Sequence, residues 1–435
     1  MFETFRNAWK IPDLRKKILF TLFIILIFRI GCAIPVPFLE PAVLSDWLNS
    51  QQGSILSYMD ILSGGSLSKA TLFAMSITPF INAQIIIQLL TYALPPLERL
   101  QKEGETGRKK IAKITDFLAL GIALFQAWAY YVTMRKAGAV QYTEGFDGIF
   151  AAIVIIGCFT AGASLIVWLG NRVNEKGIGN GVSMILFAGI IARGPSAVLS
   201  MINLIGTDMK YVFLVPIVLI IFILMIGFIV FMNESERRIP IQYAKRVVGR
   251  KQYGGQNTHI PIKVTMSGVM PIIFAMTFMS LPSTLALFIQ PPVNPEGFWQ
   301  NFYVGFLKFF SYTSPWYAII YFFLIVAFNY FYVSMIYNPI EIANNLRQNN
   351  GGIPGIRPGK PTSDFIQRVL SKITLVGAVF LGIIAIFPIL FNIAIPNLNI
   401  AMGGTSILII VSVALETVRG LESQLTMRHH KGFLE

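Results

Sequence analysis

Apolar residues in this chain come in long unbroken runs separated by short polar clusters. Intervals free of Asp, Glu, Lys and Arg cover residues 70–97, 117–134, 148–171, 177–192, 211–233, 264–295 and 309–340. A helix needs about 20 mostly apolar residues to cross roughly 30 Å of hydrocarbon, so each interval predicts one transmembrane span. The interval 373–415 is long enough for two, with Pro388, Asn392, Pro396 and Asn397 marking a tight turn between them. A first span runs from Ile18 to Ala33, interrupted only by Arg29, which lies near its end and within snorkelling reach of the interface. The pattern therefore predicts ten spans. The fifth is short and is opened by GIGNGV.

Other segments follow different periods. In residues 53–65, Ile55, Leu56, Met59 and Leu62 share one helical face, bracketed by Gly53 and Gly64-Gly65. The piece is too short to span. It fits either an interfacial helix lying on the membrane or a movable half-helix inserted into the protein. Between Asn233 and Lys263, Ile239, Ile241 and Tyr243 alternate, as do Ile260, Ile262 and Val264. Period two predicts a β-hairpin, with Lys245, Arg246, Arg250 and Lys251 at its tip. The loop from Asn338 to Ser371 contains GGIPGIRPGKPT, in which prolines stiffen and glycines turn the chain around Arg357. An exposed, rigidly held arginine suits docking to an anionic surface, and equally a solvated turn.

Composition supports the membrane reading: 54% of the residues are hydrophobic, only 13% are charged, and the mean hydropathy is +0.64. Ordinary globular domains carry about 25% charged residues. The net charge of +14 is not spread evenly. Of the 35 Lys and Arg, 28 fall in the N-terminal segment, the loops after spans 2, 4, 6 and 8, and the C-terminal segment. The positive-inside rule makes that set cytoplasmic, so both termini face the cytoplasm and the number of spans is even. Ten spans divide into two sets of five with opposite orientation, which is the arithmetic of an inverted repeat with a boundary near Thr207–Lys210. The basic start MFETFRNAWKIPDLRKK lacks a cleavage site after its apolar run, so the first span is expected to be retained.

Catalytic and metal chemistry is not encoded in any motif found here. Cys32 and Cys158 lie in different apolar spans, and His259, His429 and His430 lack ligand spacing with a cysteine or carboxylate, so no metal or cofactor is expected. GIGNGV does not match a dinucleotide fingerprint, and there is no P-loop and no HExxH. Asp116 and Glu416 lie near span ends, which leaves the membrane midplane almost without titratable groups. That favours a conduit over a coupled pump, although an inverted-repeat secondary transporter for a small solute is the competing class. Span 2 carries Ile77, Ile81, Gln84 and Gln88 on one helical stripe, apolar and then polar, beside Pro79. Such a stripe faces protein or water rather than lipid. Helix packing and a polar vestibule leading to an apolar constriction both account for it.

Eight segments, in order and covering nearly the whole chain, resemble the SecY family. They are FRIGCAIPVP at 28–37, SGGSLSKATLFA at 63–74, ITPFINAQIIIQLL at 77–90, EGETGRKKI at 103–111, GIGNGVS at 177–183, YAKR at 243–246, PGIRPG at 354–359 and GGTSILI at 403–409. The resemblance implies an all-α polytopic fold with two inverted five-helix halves, residues 1–208 and 209–435, closing like a clamshell around a pore. It implies a bacterial or plastid protein-conducting channel that passes unfolded polypeptides and releases apolar segments into lipid. The implied partners are SecE, SecG, the motor SecA, the ribosome, signal sequences and membrane lipid. It further implies a pore ring of Ile77, Ile81, Val182, Leu186, Ile273 and Ile409, with Ile55, Leu56, Met59 and Leu62 in a plug. A lateral gate between spans 2 and 7 would include Asn82, Gln88 and Thr265. Lys245, Arg246, Arg250, Lys251 and Arg357 would dock the ribosome or motor. The family's ring is often all isoleucine; Val182 and Leu186 depart from that but keep the ring apolar.

Overall fold

The computed structural model describes residues 2–50, 65–206, 209–243, 246–248, 251–253, 257–288, 297–311, 314–394 and 404–431. The plug candidates Ile55, Leu56, Met59 and Leu62, and the hairpin-tip residues Lys245 and Arg250, lie outside the described residues.

Each of the ten predicted spans contains a helix. Span 1 is Pro12–Gly31, span 2 Thr78–Ala93, span 3 Glu105–Lys136, span 4 Gly145–Lys176 and span 5 Gly181–Ala192. Span 6 is Met209–Glu234, span 7 Met270–Phe288, span 8 Pro315–Ile336, span 9 Lys360–Ala394 and span 10 Gly404–Lys431. Spans 3, 4, 6, 8 and 9 belong to helices long and apolar enough to cross a membrane unaided. Span 6 is apolar all round, with Phe213, Ile220, Ile223, Leu224 and Phe231 exposed, as a lipid-facing helix should be.

Two spans differ from the uniform helices that the charge-free intervals predict. The interval 70–97 becomes helical only at Thr78, and its helix meets the next, Pro95–Lys102, at 98°. Residues 66–77 run as buried turns, with Ala70 and Ser76 at positive φ. Their backbone groups are satisfied by protein: Val36 donates to the Ala70 carbonyl at 2.9 Å, and Leu72 to the Ile34 carbonyl at 3.0 Å. Irregular backbone survives at membrane depth only where protein supplies such partners. The interval 264–295 likewise opens with turns over 264–269 before its helix starts at Met270.

The three largest apolar clusters are two cores and a region joining them. One core draws on residues 36–163, including Leu67, Ala127, Tyr131 and Phe159. A second draws on residues 229–415, including Ile229, Ile325, Leu381 and Leu408. Small residues let backbones approach closely, as alanine and glycine do between membrane helices. Ala119, Ala123 and Ala127 form a buried stripe on span 3. At Gly162 an added Cβ would lie 2.0 Å from the Leu72 carbonyl oxygen, so no larger residue fits there without movement.

The predicted hairpin is present. Strand β1 (Glu236–Tyr243) pairs antiparallel with β4 (Asn257–Lys263), placing Ile239 opposite Ile260. Between them, β2 (Arg246–Val248) pairs with β3 (Lys251–Tyr253), so Arg246 and Lys251 stand in a second small ladder. A short strand β5, Gly351–Gly352, adds to β1 and ties the second long loop to the first. Ile239, Ile241 and Ile262 face Leu346, Ile353, Ile366 and Leu370 in a cluster shared by the two loops. The loops thus make one small domain rather than two independent projections.

Candidate functional site

The third apolar cluster lies where the two cores meet. Ile77, Ile81, Leu186, Ile273 and Ile409 are buried within it, and Val182 packs against it partly buried. All six residues, from spans 2, 5, 7 and 10, are therefore brought together by the fold. Ile77 sits at the N-cap of span 2, where the irregular stretch turns into helix, rather than in mid-helix.

The GIGNGV segment sets Val182 in place. The Asn180 side chain accepts hydrogen bonds from the Val182 and Ser183 amides at 3.0 and 3.4 Å, capping span 5. The Asn174 side chain accepts from the Gly181 amide at 2.7 Å. At Gly181 a Cβ would lie 2.0 Å from the Gly170 carbonyl oxygen, so span 5 can start this close to span 4 only at a glycine. The motif is a tight helix start.

The polar end of the span 2 stripe opens into a cavity of about 340 Å³ between spans 2, 3, 4 and 8. Gln84, Gln88, Thr91, Arg108, Asp116 and Tyr332 are among its lining residues. Gln84 and Gln88 thus line a cavity, while Ile77 and Ile81 are packed among apolar side chains. Asn82 Oδ1 and Gln88 Oε1 are shielded from solvent and find no hydrogen-bond partner among the described residues. On the same flank Tyr92 of span 2 meets Phe331 of span 8 edge to face, with ring centroids 5.8 Å apart.

Thr265 lies elsewhere. Its hydroxyl donates to Asn233 Oδ1 at 2.7 Å, and Asn233 Nδ2 donates to Ser412 Oγ at 3.1 Å. This chain links the end of span 6, the turns before span 7 and span 10. Nearby, the Ser267 hydroxyl donates to Asn329 Oδ1, and Asn329 Nδ2 donates to the Thr374 carbonyl at 2.9 Å. Asn329 is a buried hub that sequence reasoning missed. Its only signal was a lone asparagine within an apolar run, which cannot reveal its partners.

Of the docking candidates on the two long loops, some lie within the described residues. Arg357 is exposed, while its carbonyl accepts from the Thr362 hydroxyl at 2.8 Å, so the turn is fixed and the guanidinium is free to reach outward. At the hairpin base, burial and the Arg419 charge hold the Lys263 ammonium below its usual pKa, against the pull of Glu234, Glu236 and Glu416. Arg419 itself donates to the Asn233 carbonyl and to Glu234 Oε1, each at 2.7 Å. Among the described residues no group of three or more His, Cys, Asp or Glu could hold a metal ion.

A ten-span bundle with two cores, an apolar seam between them and a cavity beside that seam fits a membrane protein of the channel class. The SecY family model matches residues 71–418. The chain is 41% identical to the protein translocase subunit SecY of Thermotoga maritima, over all of this chain and 98% of that one. It is 40% identical to the protein of the same name from Streptomyces coelicolor, over the full length of both. Among solved structures, it matches one described as "The structure of a protein conducting channel" with a TM-score of 0.63 and 18% identity, covering 96% of each chain. It matches Sec61 in the canine ribosome-channel complex with a TM-score of 0.60 and 17% identity, again over 96% of each. The chain belongs to the SecY family and has the family's ten-helix clamshell fold.

Proposed function

We propose that this chain is the protein-conducting channel of a membrane translocase, passing unfolded polypeptides across the bilayer and releasing apolar segments sideways into lipid. The observation that carries this reading is the convergence of Ile77, Ile81, Val182, Leu186, Ile273 and Ile409 on one apolar seam between two cores. A narrow apolar ring excludes water and ions by dewetting, yet flexible aliphatic side chains accommodate an extended chain of any sequence. The halves are residues 1–208 and 209–435 in inverted orientation. Each half's second span is approached through turns, largely buried over 66–77 before span 2 and partly buried over 264–269 before span 7, which supports the repeat. The plug role falls to residues 55–63, which lie outside the described residues.

Spans 2 and 7 form the lateral gate, with span 8 beside them. Asn82 and Gln88 favour opening there, because a buried polar oxygen without a partner costs about 1–3 kcal/mol that hydration returns. Thr265 acts from the base of span 7, through Asn233. Each central Leu, Ile, Phe or Val of an arriving segment then gains roughly 0.3–0.6 kcal/mol on entering lipid. The channel supplies no energy and performs no catalysis. SecA, the ribosome or the membrane potential supplies the work, with SecE and SecG as membrane partners. Both termini and the joined loops face the cytoplasm of the cell membrane, where Lys245, Arg246, Arg250, Lys251 and Arg357 receive the motor or ribosome.

A gate lock tests the proposal. Cysteines replacing Tyr92 and Phe331, joined by a short bismaleimide, should block integration of an apolar segment by proteoliposomes containing the full translocase. Unlinked double-cysteine protein should integrate it normally. If the linked channel integrates segments as well as the unlinked one, span 2 does not part from spans 7 and 8 during lateral release, and the gate assignment is wrong.

A further inference from the structure

Between spans 7 and 8 lies a twelve-residue helix, Phe298–Phe309, that the ten-span reading does not use. It is far too short to cross a bilayer. Its aromatic residues gather on one side: at 100° per residue, Phe298, Trp299, Phe302, Phe306 and Phe309 fall within one-third of the helical circle. Gln300, Asn301 and Lys308 occupy the other side. In a soluble protein the aromatic face would be buried against the body. Here it is turned away: Phe298 is 77% exposed, Trp299 78% and Phe302 59%. The rings stack along the helix, Phe298 on Phe302 at 6.5 Å and Phe302 on Phe306 at 6.4 Å, forming one continuous apolar surface.

That surface does not end with the helix. Phe309 stacks on Trp316 at the first turn of span 8, with centroids 5.8 Å apart and rings 26° from parallel. Trp316, Ile319 and Phe323 follow at i, i+3 and i+7 on span 8 and are all exposed. In a membrane-spanning helix such an exposed stripe is the lipid-facing one. The aromatic face is therefore an extension of the protein's lipid interface.

We propose that Phe298–Phe309 is an interfacial helix, lying in the plane of the membrane with its aromatic face among the upper acyl chains and Gln300, Asn301 and Lys308 toward water. The occupant of the face is lipid. Trp and Phe suit this depth, since their rings prefer the boundary between headgroups and hydrocarbon. In sequence the helix follows span 7 and precedes span 8, on the side of the membrane opposite the basic loops. Anchoring it fixes the depth at which the outer ends of these two spans sit, and so gives the moving side of the seam a float in that leaflet.

Spin labels attached at single cysteines test this in the full chain, in a background where Cys32 and Cys158 are replaced by alanine, reconstituted in phospholipid vesicles. Labels at positions 299 and 302 should relax several-fold more with oxygen, which partitions into hydrocarbon, than with a water-soluble nickel chelate. Labels at 301 and 308, on the polar side, should show the reverse preference. Equal nickel access at 299 and 301 would place the helix in water, and exclusion of both reagents at 299 and 302 would place protein over it; either result overturns the proposal. A second measurement avoids cysteines. Trp299→Phe should lower the fraction of tryptophan fluorescence quenched by lipids brominated near the headgroup, and an unchanged fraction overturns the proposal as well.

Discussion

Replacing Ile81 and Leu186 together, by serine in one variant and by alanine in another, separates dewetting from simple plugging. Both side chains are nearly fully buried in the seam between the cores. Either replacement removes several methyl groups, so both variants widen the constriction by similar volumes. An apolar cavity of that kind stays dry, because water inside it finds no partners. A serine hydroxyl offers one, worth about 0.5–1.5 kcal/mol net. Two serines therefore lower the cost of hydrating the ring by about 1–3 kcal/mol relative to two alanines. That converts to about 5-fold to 150-fold greater water occupancy at about 1.4 kcal/mol per factor of ten. Resting ion conductance of the purified channel in planar bilayers should follow that order, with serine well above alanine and alanine near the parent. The reasoning fails if alanine leaks as much as serine, since size alone would then set the seal, or if the serine variant is as tight as the parent.

Arg357→Glu should weaken binding of the motor or ribosome in a salt-dependent way while the melting temperature stays unchanged, because the side chain is exposed and only its carbonyl serves the turn; normal binding with lowered stability would reverse that assignment. Asn329→Leu should lower the melting temperature in detergent, because it strands the buried Ser267 hydroxyl at about 1–3 kcal/mol and cuts the tie between spans 8 and 9 at the Thr374 carbonyl. A single cysteine replacing Arg357, in cells, should be labelled by an impermeant maleimide only after the membrane is opened; labelling from outside would invert the topology.

The chain's fold was legible to different depths in different regions, for physical reasons. Span number followed from charge gaps because each ionised side chain is costly at mid-membrane. The β1–β4 hairpin followed from period-two alternation, since one face of it had to be buried, and Ile239, Ile241 and Ile262 are. The six ring candidates came from family motifs; alone, each is an isoleucine, valine or leucine like dozens of others. The turns at 66–77 and 264–269 were not legible. A charge gap reports only that a segment is apolar, and a buried turn whose backbone is satisfied by neighbours is as apolar as a helix. The hydrogen-bond chain through Asn233, Thr265 and Ser412 joins residues up to 179 positions apart, and no local pattern encodes it.

Those irregular stretches bear on how the two halves can part. Around 66–77, the described hydrogen bonds run to Ile34, Val36 and the stretch itself. Around 264–269, they run to Asn233, Ser235 and Asn329. Each stretch is thus fastened to its own half. Hydrogen bonds between the halves are found at the foot of span 10, where Glu422 accepts from Thr4 at 3.0 Å and Gln424 accepts from Lys17 at 3.2 Å. Span 10 also packs on span 5, with the Thr417 hydroxyl 3.6 Å from the Met184 sulfur. Spans 2 and 8 meet instead through the rings of Tyr92 and Phe331. An apolar contact given up on opening is restored, at about 25 cal/mol per Å², when an apolar segment takes its place. A hydrogen bond broken between helices is not restored by such a segment. Separation between spans 2 and 8, with spans 1, 5 and 10 as the fixed side, therefore costs least exactly when a client's apolar helix is present to fill the gap. The same asymmetry keeps the seam shut against water alone, which offers apolar side chains nothing in exchange.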